Sequence, residues 1–203
     1  MRAANTNLIW TNQRATKAAP SRHALMRAIL TVVLILLWPL LLNDGVSQNT
    51  GPTESEIKSA YIFNFAKFVE WPPKSLPKAN SPITIGILGE NPFGRSLEQT
   101  IQNKTVYEHP LFVGACPPLQ PTNCQILFIS SSEKSRLPQI MKELKGSSVL
   151  TVADMDGFTE AGGVINFVRE GTKIRFRINN DVAAKEGLKI SSKLLSLAVR
   201  TGA

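Results

Sequence analysis

Two cysteines, Cys116 and Cys124, stand eight positions apart around Pro117, Pro118 and Pro121. In an exported chain such a pair reads as a disulfide closing a short loop. A bridge over so short a loop contributes about 2–3 kcal/mol through the entropy of the unfolded chain. A metal site built on these two thiols lacks a histidine close in sequence. Gly89 to Gly94 places two glycines at a strand-to-helix turn, with Asn91 between them. Open α/β sheets bind ligands at such turns, so Gly89, Asn91 and Gly94 could hold a small anion or polar ligand. A tight turn explains the glycines as well. The Gly-Lys-Ser/Thr of a phosphate-binding loop is absent, which removes nucleotide triphosphate hydrolysis. Ser130 and Ser131, followed by Ser132, form a second such turn, which helix capping explains equally well. Asp154 and Asp156 follow a strand, and Asp154 could act as an acid or a ligand. A turn before Gly157 accounts for both. Past residue 47 the one histidine is His109, which reads as a surface residue. Nothing assembles a nucleophile, a base and a group to orient it. No metal or cofactor is expected, and the chain reads as non-enzymatic.

The elements that position these residues start with Glu54 to Pro72. Thr53 and Glu56 spell a capping box, and Glu54 and Glu56 suit the positive end of the helix dipole. Pro72 and Pro73 should stop the helix. Ile57, Tyr61, Phe65 and Phe68 share a stripe, widened by Ile62, Ala66 and Val69 on one side and Trp71 on the other. Glu56, Ser59, Lys67 and Glu70 take the opposite face, with Phe63 among them. Phe63 could touch a covering loop or anchor a partner protein. Lys67, Glu70 and Trp71 would complete such a partner-binding patch.

A proline-rich loop follows, then a buried strand Ile83–Leu88 and a helix from Arg95 to Ile101. Val106 to Val113 reads as a weaker edge segment, and Gln125–Ile129 as a second buried strand. Ser130 to Glu133 opens an amphipathic helix that Gly146 closes with left-handed backbone. Ser148 to Val152 is a third strand. Val164–Val168 and Lys173–Ile178 form a hairpin turning at Glu170-Gly171. Gly162 and Gly163 at its start indicate close backbone packing or a bulge. Asp181 or Asn180 caps a short helix, and Ile190 to Val199 makes the last one, burying Ile190, Leu194, Leu197 and Ala198. The fold class is α/β: a three-layer sandwich with a mainly parallel sheet, an antiparallel edge hairpin and helices on both faces.

Residues 1–47 stand apart. An apolar run of about 14 residues from Ala28 is short for a membrane span and suits a secretory leader. Arg22 and Arg27 precede it, and Gly45-Val46-Ser47 offers small residues for cleavage. Met26 is an alternative start. The leader holds five basic residues and one acidic, so its removal lowers the formal charge from +8 to +4. Much of the basicity is therefore targeting signal, and nucleic-acid binding, which needs a clustered basic stripe, is not expected. Residues 48–203 make a single domain.

Several blocks carry a resemblance. They are Tyr61 to Pro72, Ile85 to Gly89 with Asn91 to Gly94, Cys124 to Ser130, Val149 to Asp154, Gly157-Phe158 with Gly162 to Phe167, and Leu188 to Leu195. In this order and together they resemble the YfiR family from Glu56 to about Val199. The resemblance implies a periplasmic α/β domain, often a homodimer, that acts by binding. It implies a partner, the periplasmic part of an inner-membrane diguanylate cyclase, which the protein holds down and so lowers cyclic-di-GMP signalling. It also implies a disulfide in the region of Cys116 and Cys124; the second cysteine pair of some members is absent. The alternative is a periplasmic small-ligand sensor using the Gly89–Gly94 turn.

Overall fold

The computed structural model describes residue 26 and residues 51–76, 80–114 and 124–199. The expected leader, apart from Met26, and Cys116 lie outside the described residues. Helix α1 runs Glu54–Phe68 and starts as its sequence requires. The Thr53 hydroxyl accepts from the Glu56 N–H at 3.3 Å, and the Glu56 carboxylate accepts from the Thr53 N–H at 2.7 Å. Both N–H donors lack a carbonyl partner within the helix, and the two side chains satisfy them. The helix ends at Phe68, earlier than Pro72. Val69 turns extended and opens β1 (Val69–Glu70), which pairs antiparallel with β9 (Lys189–Ile190). β-branched Val69 and a waiting partner strand end the helix before the prolines act.

The main sheet contains β2 (Ile83–Leu88), β3 (Thr105–Val106), β4 (His109–Gly114), β5 (Ile126–Ile129), β6 (Leu150–Ala153), β7 (Ile165–Glu170) and β8 (Lys173–Ile178). Their spatial order is β3-β4-β2-β5-β6-β7-β8. The four inner pairings are parallel, and β3–β4 and β7–β8 are antiparallel hairpins at the two edges. The mainly parallel sheet with an antiparallel edge hairpin is thus present, and the segment around Val106 to Val113 adds a second hairpin at the other edge.

Side chains of β5 alternate between the two faces, as the pleat demands. Ile126 and Phe128 join one core with Phe65 of α1 and with Leu97 and Ile101 of α2 (Ser96–Ile101). Ala183 of α4 (Asn180–Lys185) and Leu194 of α5 (Ser192–Leu197) complete that layer. Leu127 and Ile129 face a second core with Leu137, Ile140 and Leu144 of α3 (Leu137–Leu144). Helices therefore cover both faces of a sheet that is apolar on both sides.

Local details differ from the sequence reading. Ser59, placed on the polar face of α1, is buried, its hydroxyl donating to the Ser55 carbonyl at 2.7 Å. Ser130–Leu144 is not one helix: a 3-10 stretch, Ser131–Arg136, precedes α3, whose first turn holds Pro138. The β7–β8 turn is Gly171-Thr172, since Glu170 and Lys173 pair across it. Asn179, not Asp181 or Asn180, caps α4, accepting from the Val182 N–H at 3.1 Å. The expected helix from Ile190 is shorter. Ile190 is drawn into β9, α5 stops at Leu197, and Leu197 is exposed.

Candidate functional site

Helix α1 presents two chemically different halves. Its N-terminal half carries Lys58, 5% exposed, whose ammonium bonds to Glu54 at 2.5 Å and to Asp154 at the end of β6. Arg169 of β7 pairs with the second Glu54 oxygen. Lys58 has few other ways to satisfy its charge away from water, so two half-exposed carboxylates hold it. The Lys58 bond, with help from Arg169, holds the Glu54 carboxyl below its ordinary value despite partial burial. Asp154, the candidate acid, is thus tied into this network, and Asp156 beside it is exposed. Lys58 was not singled out by sequence; its signal was the Glu54–Lys58 spacing of four, which suits a helical ion pair.

The C-terminal half carries aromatic rings under lysines. Phe63 and Phe68 are half-buried against the first core. Lys104, beyond α2, stands 4.5 Å from the Phe63 centroid, and Lys67 stands 5.6 Å from Phe63 and 5.8 Å from Phe68. Lys193 of α5 stands 5.3 Å from Phe68. Cations over ring faces are attracted by the ring quadrupole. Tyr107, in the β3–β4 turn, is 71% exposed and donates its hydroxyl to the Lys67 carbonyl at 3.1 Å.

Of the partner-patch residues, Phe63 and Lys67 lie together here. Glu70 is exposed on β1. Trp71 is half-buried, and its indole N–H donates to the Gln125 carbonyl at 3.0 Å. Gln125 is a buried hub that sequence reasoning passed over. Its side chain accepts from Thr84 at 2.8 Å and donates to Ser75 at 2.9 Å. A polar residue just before a buried strand was the available hint.

The two turns expected to hold a ligand meet at the carboxyl ends of β2 and β5. The Glu90 N–H donates to the Ser132 hydroxyl at 3.0 Å. A methyl group on Gly89, whose φ is +87°, would lie 2.4 Å from that hydroxyl and 2.9 Å from Glu133 Cγ. The Asn91 carboxamide accepts from Phe93 at 2.8 Å and donates to the Gly94 carbonyl at 3.3 Å. Ser130 is buried and its hydroxyl accepts from the Ser132 N–H at 3.4 Å, whereas Ser131 is exposed. His109 is half-buried and donates Nδ1–H to the Ser81 carbonyl at 2.7 Å. Cys124 is buried two residues before β5. Gly163 packs against the Phe158 ring, where a methyl would lie 2.1 Å from the ring edge, so close packing is the reason for that glycine. Among the described residues, no group of three His, Cys, Asp or Glu side chains could hold a metal ion, and no helix is long and apolar enough to cross a membrane.

A family model described as YfiR/HmsC-like matches residues 55–199 of the chain. No curated protein matches it.

Proposed function

The chain belongs to the YfiR/HmsC-like family, and from that premise we propose that it is an exported regulator that binds the periplasmic part of an inner-membrane diguanylate cyclase. Binding holds the cyclase down and lowers cyclic-di-GMP. The observation that carries this reading is the family match over residues 55–199. The chemistry of the fold supports it. The candidate acid Asp154 is engaged by Lys58, and His109, half-buried where the sequence suggested a surface residue, is engaged by a carbonyl. What α1 offers outward is a surface of rings and cations. The protein acts by being held, not by turning over a substrate. In the periplasm Cys116 and Cys124 close a disulfide beside β5. A homodimer belongs to the same reading. A small-ligand role at Gly89–Gly94 draws less support, because the Ser132 hydroxyl and Glu133 methylenes take the space there.

The test is direct. The periplasmic parts of the same organism's inner-membrane diguanylate cyclases are purified, immobilised and exposed to this chain. Retention of the chain by one of them, at dissociation constants of about micromolar or tighter, is expected. Retention by none of them overturns the proposal.

A further inference from the structure

Lys104, Phe63, Lys67, Phe68 and Lys193 alternate cation and ring along one strip. We propose that this strip, together with Tyr107, docks an acidic and aliphatic segment of a protein partner. The inference names the chemistry of the partner's contact and rests on the regulatory reading for the partner's identity.

The charges argue first. Among the described residues the ion pairs are made by Lys58, Arg136 and Arg169, so Lys67, Lys104 and Lys193 carry unneutralised charge. All three lysines are exposed, and their ammonium groups lie over the ring faces with their outer sides open to a partner. Carboxylates placed over the strip would accept charge-assisted hydrogen bonds from three ammoniums at once. Aliphatic side chains between those carboxylates would meet the exposed parts of Phe63 and Phe68. Glu70 and Glu108 are exposed near the strip and limit where a partner's carboxylates can sit.

The backbone argues second. Tyr107 and Glu108 form the β3–β4 turn with φ of +50° and +68°. A two-residue hairpin loop with both residues left-handed suits Asn-Gly, not Tyr-Glu. The turn keeps a large aromatic at its tip against backbone preference, 71% exposed and anchored to α1 through its hydroxyl. Strain retained at an exposed aromatic points to recognition rather than folding.

A lipid surface fits less well. Phe63 and Phe68 are half-buried beneath the lysines and do not project far enough to enter a bilayer.

The probes are a fluorescent peptide of alternating Glu and Leu, its Lys-Leu counterpart, and vesicles of phosphatidylglycerol with phosphatidylethanolamine, each titrated with the full chain. The Glu-Leu peptide should bind, weaken with added salt, and lose about tenfold or more in affinity in the Lys67→Glu, Lys104→Glu, Lys193→Glu variant. Reversal of Lys142 and Lys145, on and just after α3, should leave binding unchanged. Changing the turn by Tyr107→Asn with Glu108→Gly should raise the melting temperature yet weaken binding, a split that misfolding cannot produce. Equal binding by the strip variant, equal binding of the Lys-Leu peptide, unchanged affinity with the Asn-Gly turn, or binding of vesicles without peptide would each overturn the proposal. If the strip variant still binds and represses a cyclase that the wild-type chain binds, the strip falls and the regulatory reading stands. If the peptide binds as expected while no cyclase is retained, the regulatory reading falls instead.

Discussion

Lys58 is the residue on which the N-terminal half of α1 turns. Its ammonium bridges Glu54 and Asp154, and Arg169 steadies the Glu54 carboxylate from β7. Lys58→Met keeps the methylenes and removes the charge. It should cost about 1–2 kcal/mol in urea denaturation, since charge-assisted bonds are lost but both carboxylates can take up water. The pH dependence follows from Glu54. Its pKa is lowered in the folded chain by the Lys58 bond. The unfolded state therefore binds the proton more readily, and the stabilisation is fully present above the ordinary value of 4.5. It is lost as pH falls below that value through the lowered folded one. Melting temperatures measured between neutral pH and strong acid should show this loss in the wild type, and Glu54→Gln should flatten that part of the curve. An unchanged acid limb in Glu54→Gln would contradict the assignment. Sequence made Asp154 visible as a carboxylate after a strand. It could not show that the partner waits on a helix almost a hundred positions earlier.

Helix α1 is fastened to the sheet by aromatic rings. Phe65 is fully buried, with centroids 5.9 Å from Phe167 of β7 and 5.1 Å from Phe176 of β8. Tyr61 stands 5.2 Å from Phe176 and donates its hydroxyl to the Ile174 carbonyl at 3.3 Å. Phe65→Ala should cost roughly 3–5 kcal/mol, because a rigid cluster leaves a cavity that cannot collapse. Urea denaturation followed by circular dichroism checks this, and a loss below about 1 kcal/mol would mean that the helix is held elsewhere. The capping box of α1 and its apolar side were legible because both are local patterns. The buried centre, however, is Ile62, Phe65, Ala66 and Val69, while Ile57, Tyr61 and Phe68 of the expected stripe are half-buried at its edge. The end of the helix was not. Val69 and Glu70 leave the helix to pair with Lys189 and Ile190, a contact that local propensity does not encode. The same pairing shortened the expected last helix, since Ile190 belongs to both patterns. The β3–β4 hairpin was missed for a different reason: Tyr107-Glu108 lacks the residues that normally announce such a turn.

At the scale of the molecule, the parallel centre of the sheet was readable because β2, β5 and β6 are continuous apolar runs bounded by turn residues. Strand order was not, since nothing local says that β4 returns beside β2 while β5 crosses to its other side. The meeting of Gly89 with Ser132 follows from that crossover, and so does the closeness that fills the crevice. The candidate surface was half legible. Phe63 and Lys67 stood out by their place on the helical wheel, whereas Lys104, Tyr107 and Lys193 come to them only through the fold. The central claim is that this scaffold offers a surface for a membrane cyclase and not a reaction centre. It is tested most directly by measuring cellular cyclic-di-GMP after deleting the gene and after restoring it. A rise on deletion, reversed by the wild-type chain and by His109→Ala, is the expected result. A level that does not change on deletion would contradict it.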